Sequence, residues 1–170
     1  MLDIEPPASV PFRGAVVCVQ PIGEEANLSR RVIVAMGARL AAAGWLVSIP
    51  DLFGCGDSDG ESDSPDLATW QTDLTAFADR VDAMSPTPRG LAVWGVRHGC
   101  HLAVDLVVRR RTAGDALVLW QPGRPTARIP AGAVANGRGI VTVQGYRYRA
   151  DLVRDLDALP LAPFVGRPLQ

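Results

Sequence analysis

Gly95-Val96-Arg97-His98-Gly99 joins an apolar run, Leu91 to Val96, to a helical stretch from Gly99 to Arg111. Two glycines at this spacing permit a sharp turn from strand to helix, with the central residue held out above a sheet. In the G-x-S-x-G form of this turn the central residue is a serine nucleophile. Here it is Arg97. A guanidinium stays protonated and carries no nucleophilic oxygen or sulfur, so it forms no acyl-enzyme. Its planar fork can instead hold a carboxylate or phosphate. Arg97 is therefore either an anchor for an anionic ligand or one half of a salt bridge, with Glu24 or Glu25 as the partner. His98 could serve as general base for a bound water, or be a polar residue at a helix start. Cys100 lies at the same helix start, where a thiolate is favoured. Its place after the turn glycine points it into the packing between sheet and helix, as a structural thiol.

Other clusters carry less. His98, Cys100 and His101 crowd one short turn and lack a completing ligand, so the metal expectation is none. Asp57 to Asp63 resembles a calcium loop. However, the glycine of its sixth position is Ser62 and the glutamate of its twelfth is Ala68. Gly54-Cys55-Gly56 is not a dinucleotide fingerprint, because the third glycine position is Asp59. Ser58 reads as a turn hydroxyl. Arg109-Arg110-Arg111 reads as a solvated helix end that complements the helix dipole. No cofactor is implied.

These residues need a scaffold, and the apolar pattern supplies one. Ala15 to Val19, Trp45 to Ile49, Leu91 to Val96 and Leu117 to Trp120 are short apolar runs, as in strands covered on both faces. Between them lie helical stretches at Arg30 to Ala43 (with Ser29 as cap), from Ser64-Pro65 to Met84, and at Gly99 to Arg111. Pro86 and Pro88 end the second. The β-α-β-α-β-α-β order predicts an α/β fold, a parallel sheet flanked by helices. The chain reads as one domain over 1–170. Residues 1–13 form an N-terminal extension and 14–122 the core. Residues 123–170 form an irregular segment, with a strand at Ile140 to Val143, a helix at Ala150 to Leu159 and a Pro-rich tail.

Composition narrows the function class. The 170 residues are 48% hydrophobic and 21% charged, with 17 basic residues, all arginine, against 18 acidic ones. A net charge of −1 sets up no global field for nucleic acid. Three cysteines without a C-x-x-C pair suit a reducing cytoplasm. Met1 to Val10 lacks the basic start and apolar core of a signal peptide. Val32 to Pro50 is too interrupted to span a bilayer.

A second motif refines the reading. Pro50-Asp51-Leu52-Phe53-Gly54-Cys55-Gly56-Asp57-Ser58-Asp59-Gly60 has the D-x-x-G-x-G-x-S-x-G form common after an early strand of α/β-hydrolases. It stands one helix before the Arg97 turn. Five stretches resemble the exosortase A system-associated hydrolase 2 family. They are Gln20-Pro21, Glu24-Glu25-Ala26-Asn27-Leu28-Ser29-Arg30-Arg31, Pro50 to Ser58, Trp94-Gly95-Val96-Arg97 and Leu119-Trp120-Gln121-Pro122. Val143-Gln144-Gly145-Tyr146 also fits. The resemblance runs from Gly14 to Ala158. It implies a bacterial cytoplasmic hydrolase near exopolysaccharide and protein-sorting genes, acting on an ester or related acyl bond. It also puts Gly23, Glu24 and Glu25 in the loop that supplies an oxyanion donor in working hydrolases, and so among the candidate ligand-binding residues with Arg97. Arg97 and His98 are the candidate catalytic positions.

The departures carry weight. Hydrolases of this fold place their histidine far downstream of the nucleophile, yet His98 and His101 are the chain's two histidines. The later strands that carry the acid and base are expected to be missing. Two functions stay open: a hydrolase with an unusual site around His98, or a non-catalytic binding or scaffolding protein. A small acyl or anionic molecule is the expected ligand. A homodimer or a partner chain is expected over the bare sheet edge.

Overall fold

The apolar runs assemble into one five-stranded sheet in a computed structural model that describes residues 1–86, 90–124 and 139–161. Its strands are β1 (Leu2–Ile4), β2 (Gly14–Val19), β3 (Trp45–Ile49), β4 (Leu91–Val96) and β5 (Ala116–Trp120), in the spatial order β1-β3-β2-β4-β5. β2 is buried at every residue, which explains its unbroken apolar sequence. The pairs β2–β3, β2–β4 and β4–β5 are parallel. The edge pair β1–β3 is antiparallel, so the sheet is mixed rather than wholly parallel. Residues 2–4, read from sequence as part of an extension, thus add a strand. Three residues are too few for an alternation to show.

Helix α1 (Glu24–Ala42) covers one face, where Ile33 packs among Val16, Val47 and Ile49. Helices α2 (Leu67–Met84), α3 (Gly99–Arg110) and α4 (Ala150–Ala158) cover the other. There Trp70, Leu74, Leu102, Leu106 and Leu152 pack with β2 and β4. An antiparallel hairpin, β6 (Ile140–Val143) and β7 (Tyr146–Arg149), leads into α4. The second strand of that hairpin was not foreseen, because Tyr146-Arg147-Tyr148-Arg149 is half charged. Tyr148 is nonetheless only 2% exposed.

Two helix starts differ from expectation. α1 begins at Glu24, after Gly23 at φ 60°, and Ser29 lies inside it. The Ser29 hydroxyl donates back to the Glu25 carbonyl at 2.6 Å rather than capping. α2 is capped by Asp66, whose carboxylate accepts from the Thr69 N–H at 2.8 Å, and not by Ser64. The same carboxylate oxygen also accepts from the Thr69 hydroxyl at 2.7 Å, and this pair of bonds sets the start two residues on. Arg110 is also no solvated end. Its side chain is 6% exposed and pairs with Asp79 at 2.6 Å, with Asp82, and with Asp115 at 3.2 Å. It ties the end of α3 to α2 and to the approach to β5. Pro88 and the tail after residue 161 lie outside the described residues.

The connections fix where a site can form. From β2 the chain turns to β3 on one side, and β4 lies on the other. The loops after β2 and β4 therefore part at the carboxyl ends of two adjacent strands. That crevice is where open α/β sheets bind ligands. Gly23 to Glu25 follow β2, and Arg97 and His98 follow β4.

Candidate functional site

The turn after β4 keeps its sharp geometry. Arg97 has φ 53°, in the left-handed region, at a cost of about 1–2 kcal/mol for a residue with a side chain. Its N–H donates to the Trp120 carbonyl at 2.9 Å. The flanking glycines are imposed by close packing. A Cβ on Gly95 would lie 2.7 Å from Cys100 Cα, and one on Gly99 would lie 2.2 Å from the Val19 carbonyl oxygen.

Across the crevice Arg97 meets Glu25. Nε donates to Oε2 and Nη2 to Oε1, both at 3.1 Å, in a two-pronged ion pair. The Glu25 side chain is 11% exposed and that of Arg97 36%. Glu25 hydrogen bonding raises the Arg97 guanidinium above its already high ordinary value, against a smaller opposing effect of burial. Of the two candidate partners, Glu25 is the one bound. Glu24, at the first turn of α1, borders a small cavity instead. The nucleophile seat thus holds a cation locked to a carboxylate from the loop opposite.

His98 flanks the pair, with Nε2 3.7 Å from Glu25 Oε2. Burial pushes its imidazole below the ordinary histidine value; Glu25 opposes this and Arg97 adds to it. The ring is therefore neutral at pH 7. Its Nδ1 is buried with no hydrogen-bond partner among the described residues. His98, Ile22, Gly23 and Tyr148 enclose a cavity of about 20 Å³, the size for one water.

The other residues of the turn are structural. His101, 3% exposed, has Nδ1 3.0 Å from the Leu159 carbonyl and Nε2 3.1 Å from that of Gly123. It pins the end of α4 to the segment after β5. Cys100 is buried with Sγ 3.2 Å from the Gly95 carbonyl, and burial pushes its thiol up to about 11. That environment favours the thiol over a nucleophilic thiolate.

A larger cleft of about 450 Å³ opens beside this turn, at the ends of β2 and β3. Its walls are the loop from Gln20 to Gly23, the start of α1 and the loop after β3, with Tyr146 and Tyr148 of the hairpin above. Gly23 belongs to both cavities, and a Cβ there would lie 2.7 Å from the Tyr148 hydroxyl oxygen. The walls are firmly held. Asn27 donates to the Tyr146 hydroxyl at 2.5 Å, and Arg147 pairs with Asp63 at 2.9 Å. Phe53 N–H donates to Asp73 at 2.8 Å, and its carbonyl accepts from Trp70 Nε1 at 2.9 Å. Asp51, 5% exposed, accepts from Gln20 at 3.4 Å and Arg30 at 3.5 Å, and pairs with the terminal amine at 3.1 Å.

Sequence reasoning missed this cleft as a site. Gln20, Asn27, Arg30, Asp51 and Tyr146 all fell within the stretches that carried the family resemblance, which was the available signal. Tyr148 gave none.

Comparisons with known proteins agree with the architecture. The chain is similar to a lidless α/β serine hydrolase from Xanthomonas campestris, at 22% identity over 77% of this chain and 58% of that one, with a TM-score of 0.59. It is also similar to Est1E from Butyrivibrio proteoclasticus, solved with ferulic acid bound, at 20% identity over 94% and 67% of the two chains (TM-score 0.66). Mouse α/β hydrolase domain-containing protein 10 aligns at 14% identity over 92% and 64% (TM-score 0.59). The chain thus spans 58% of the Xanthomonas protein's length. No curated protein matches it. The sheet order, the glycine-flanked turn and these likenesses converge on the α/β-hydrolase fold. Residues 11–136 match the family model for serine aminopeptidase, S33, and the chain belongs to that family.

Proposed function

We propose that this chain is a ligand-binding protein on the hydrolase fold, which holds a small molecule at the carboxyl ends of its strands and forms no acyl-enzyme. The observation that carries the reading is the Arg97–Glu25 pair in the nucleophile seat. A serine there would present a hydroxyl to an acyl carbon. Arg97 presents donors that are already committed to a carboxylate. Glu25 also brings negative charge to the side from which an oxyanion would need donors. An anionic ligand could compete with Glu25 for the exposed part of Arg97. We further propose, on the resembling stretches, a cytoplasmic role beside exopolysaccharide and protein-sorting systems. A second copy of the chain is our proposed cover for β5, whose outer edge is unpaired among the described residues. Ala116-Leu117-Val118-Leu119-Trp120 has no charge or proline to keep another strand away.

A second reading draws on one observation. His98 is neutral, lies close to a carboxylate and borders a water-sized cavity. That arrangement suits a base that activates water. A panel of p-nitrophenyl acyl esters, assayed with wild type, Arg97→Ala and His98→Gln, separates the two. No turnover above buffer by folded protein is the expected result. Turnover that is lost in both variants would overturn the binding reading in favour of the water-activating one.

A further inference from the structure

Two backbone carbonyls, those of Leu159 and Gly123, converge on one buried ring. Pro160 restricts the residue before it to extended backbone, and Leu159 has φ −64° and ψ 127°. Its carbonyl therefore departs from the helical direction at the end of α4. Gly123 follows β5 by way of Pro122, and its N–H donates to the Arg97 carbonyl at 3.3 Å. His101 of α3 stands between them and is 3% exposed. Its Nδ1 is 3.0 Å from the Leu159 oxygen, and its Nε2 is 3.1 Å from the Gly123 oxygen.

A carbonyl oxygen accepts and never donates. A neutral imidazole has one N–H, so it donates to one of these oxygens and sets a lone pair against the other. An imidazolium has two N–H groups and donates to both. In a buried place an unmade bond is costly, and a bond from a charged donor is the stronger kind. The two contacts thus describe a ring that carries both protons. Loss of one proton turns one contact from attraction to repulsion. Histidine is the side chain that exchanges such a proton near neutral pH.

The charges around the ring are mixed. His98, at the start of the same helix, repels His101 when both are charged. Asp105, four residues further along α3, is taken by Arg109 at 2.7 Å and by Gln71 at 3.1 Å. From α4, Asp157 brings negative charge to the same cluster, where it favours a proton on His98. Beyond His98, Arg97 and Glu25 balance each other. Arg124, next to Gly123, is exposed.

What His101 holds also borders the Arg97 seat. A Cβ on Gly123 would lie 3.6 Å from Arg97 Cζ and 3.6 Å from His98 Cδ2. The Gly123 backbone is therefore the surface on which both side chains rest.

We infer that His101 is a proton-controlled clasp. With both ring nitrogens protonated it joins the end of α4 to Gly123. On losing one proton it releases one carbonyl and loosens the wall of the Arg97 seat. The clasp closes on acidification and opens toward alkaline pH. It goes beyond the binding reading and does not require a ligand in the seat.

The test is NMR of the imidazole nitrogens in wild-type protein from about pH 5 to about pH 9. The chain has two histidines, so His98→Gln assigns the rings. At the acid end both nitrogens of His101 are protonated, and at the alkaline end one is not. Across that step, amide exchange at Gly123 and Leu159 speeds at least ten-fold relative to the amides of buried β2. His101→Gln has a donor at one end of its amide and an acceptor at the other, as the neutral ring does. Its exchange at these two amides is fast at every pH. A ring that carries one proton throughout the range, or two throughout, removes the clasp. So does a ring that titrates while both amides keep step with β2. If His101→Gln does not fold, the wild-type titration decides alone.

Discussion

Arg97 and Glu25 can be separated by mutation, and their geometry sets the size of the effect. The pair has two charge-assisted bonds of 3.1 Å. Breaking a fully buried ion pair costs about 3–5 kcal/mol, and an exposed one contributes about 0–1 kcal/mol. Here the carboxylate is 11% exposed and the guanidinium 36%. The loss expected for Arg97→Met is therefore intermediate, about 2 kcal/mol, because it strands the more buried partner. Glu25→Gln leaves a guanidinium that can turn to water, and costs less. The double variant costs less than the sum, with a coupling of about 1–2 kcal/mol. In a domain of this size, 1 kcal/mol corresponds to about 2–4 °C in Tm. Arg97→Met should therefore melt about 4–8 °C below wild type. Urea unfolding of wild type, both single variants and the double variant measures the cycle. Additive losses, or an Arg97→Met loss under about 0.5 kcal/mol, would refute the claim that the pair closes the seat.

Two further outcomes follow from the same geometry. Burial lowers the His98 value in the folded chain, so between that value and the ordinary one, about 6.5, the unfolded chain binds more protons. Stability should therefore drop as pH falls from 7 through this window, and His98→Gln should flatten that limb of a Tm–pH curve; an unchanged limb would show that other groups set it. For β5, the Trp120 carbonyl accepts from Arg97, which turns the backbone polar groups of Ala116, Val118 and Trp120 toward β4 and those of Leu117 and Leu119 outward. A two-fold antiparallel pair through Leu117 and Leu119 sets Val118 opposite its own copy at a Cα separation of about 4.5 Å, within disulfide reach. Val118→Cys should link into dimers on a non-reducing gel while Ala116→Cys, which would face Trp120, should not; equal linking at both positions, or at neither, removes this dimer.

The strands were legible because burial on both faces writes itself as unbroken apolar runs. β2, β3 and β4 are such runs, each within a residue of its expected bounds. The glycine-flanked turn was legible because two close approaches exclude any side chain. Helix starts were less so. Gly23 opens α1 with no side-chain cap, so the nearest polar candidate, Ser29, drew the boundary into the helix. Asp66 won over Ser64 through its bond to Thr69, which a list of cap-forming residues does not rank. The cleft was hidden for a different reason. Gln20 and Asp51 come from the loops after two different strands and Arg30 from α1, and their meeting depends on strand order. Tyr148 reached it through a hairpin whose second strand, alternating tyrosine and arginine, carries none of the continuous apolar signal of the core.

The Arg97 turn shows why a motif can keep its frame and change its chemistry. Gly95 must let β4 approach Cys100 and Ala103, and Gly99 must let α3 approach the end of β2. Both demands come from packing strand against helix, and they would hold whatever residue stood between them. Position 97 is different: its backbone is held at positive φ by the turn, but its side chain projects into the crevice, where packing asks for little. A hydroxyl there can attack, and a guanidinium there can bind. Glu25 answers the second choice with a matched carboxylate at the facing helix start. Glycines at that spacing are therefore evidence about the fold, while the residue between them and its partner across the crevice are evidence about function. On that division the backbone is that of the α/β-hydrolase fold, and the chemistry is to be sought in what Arg97 and the neighbouring cleft can hold.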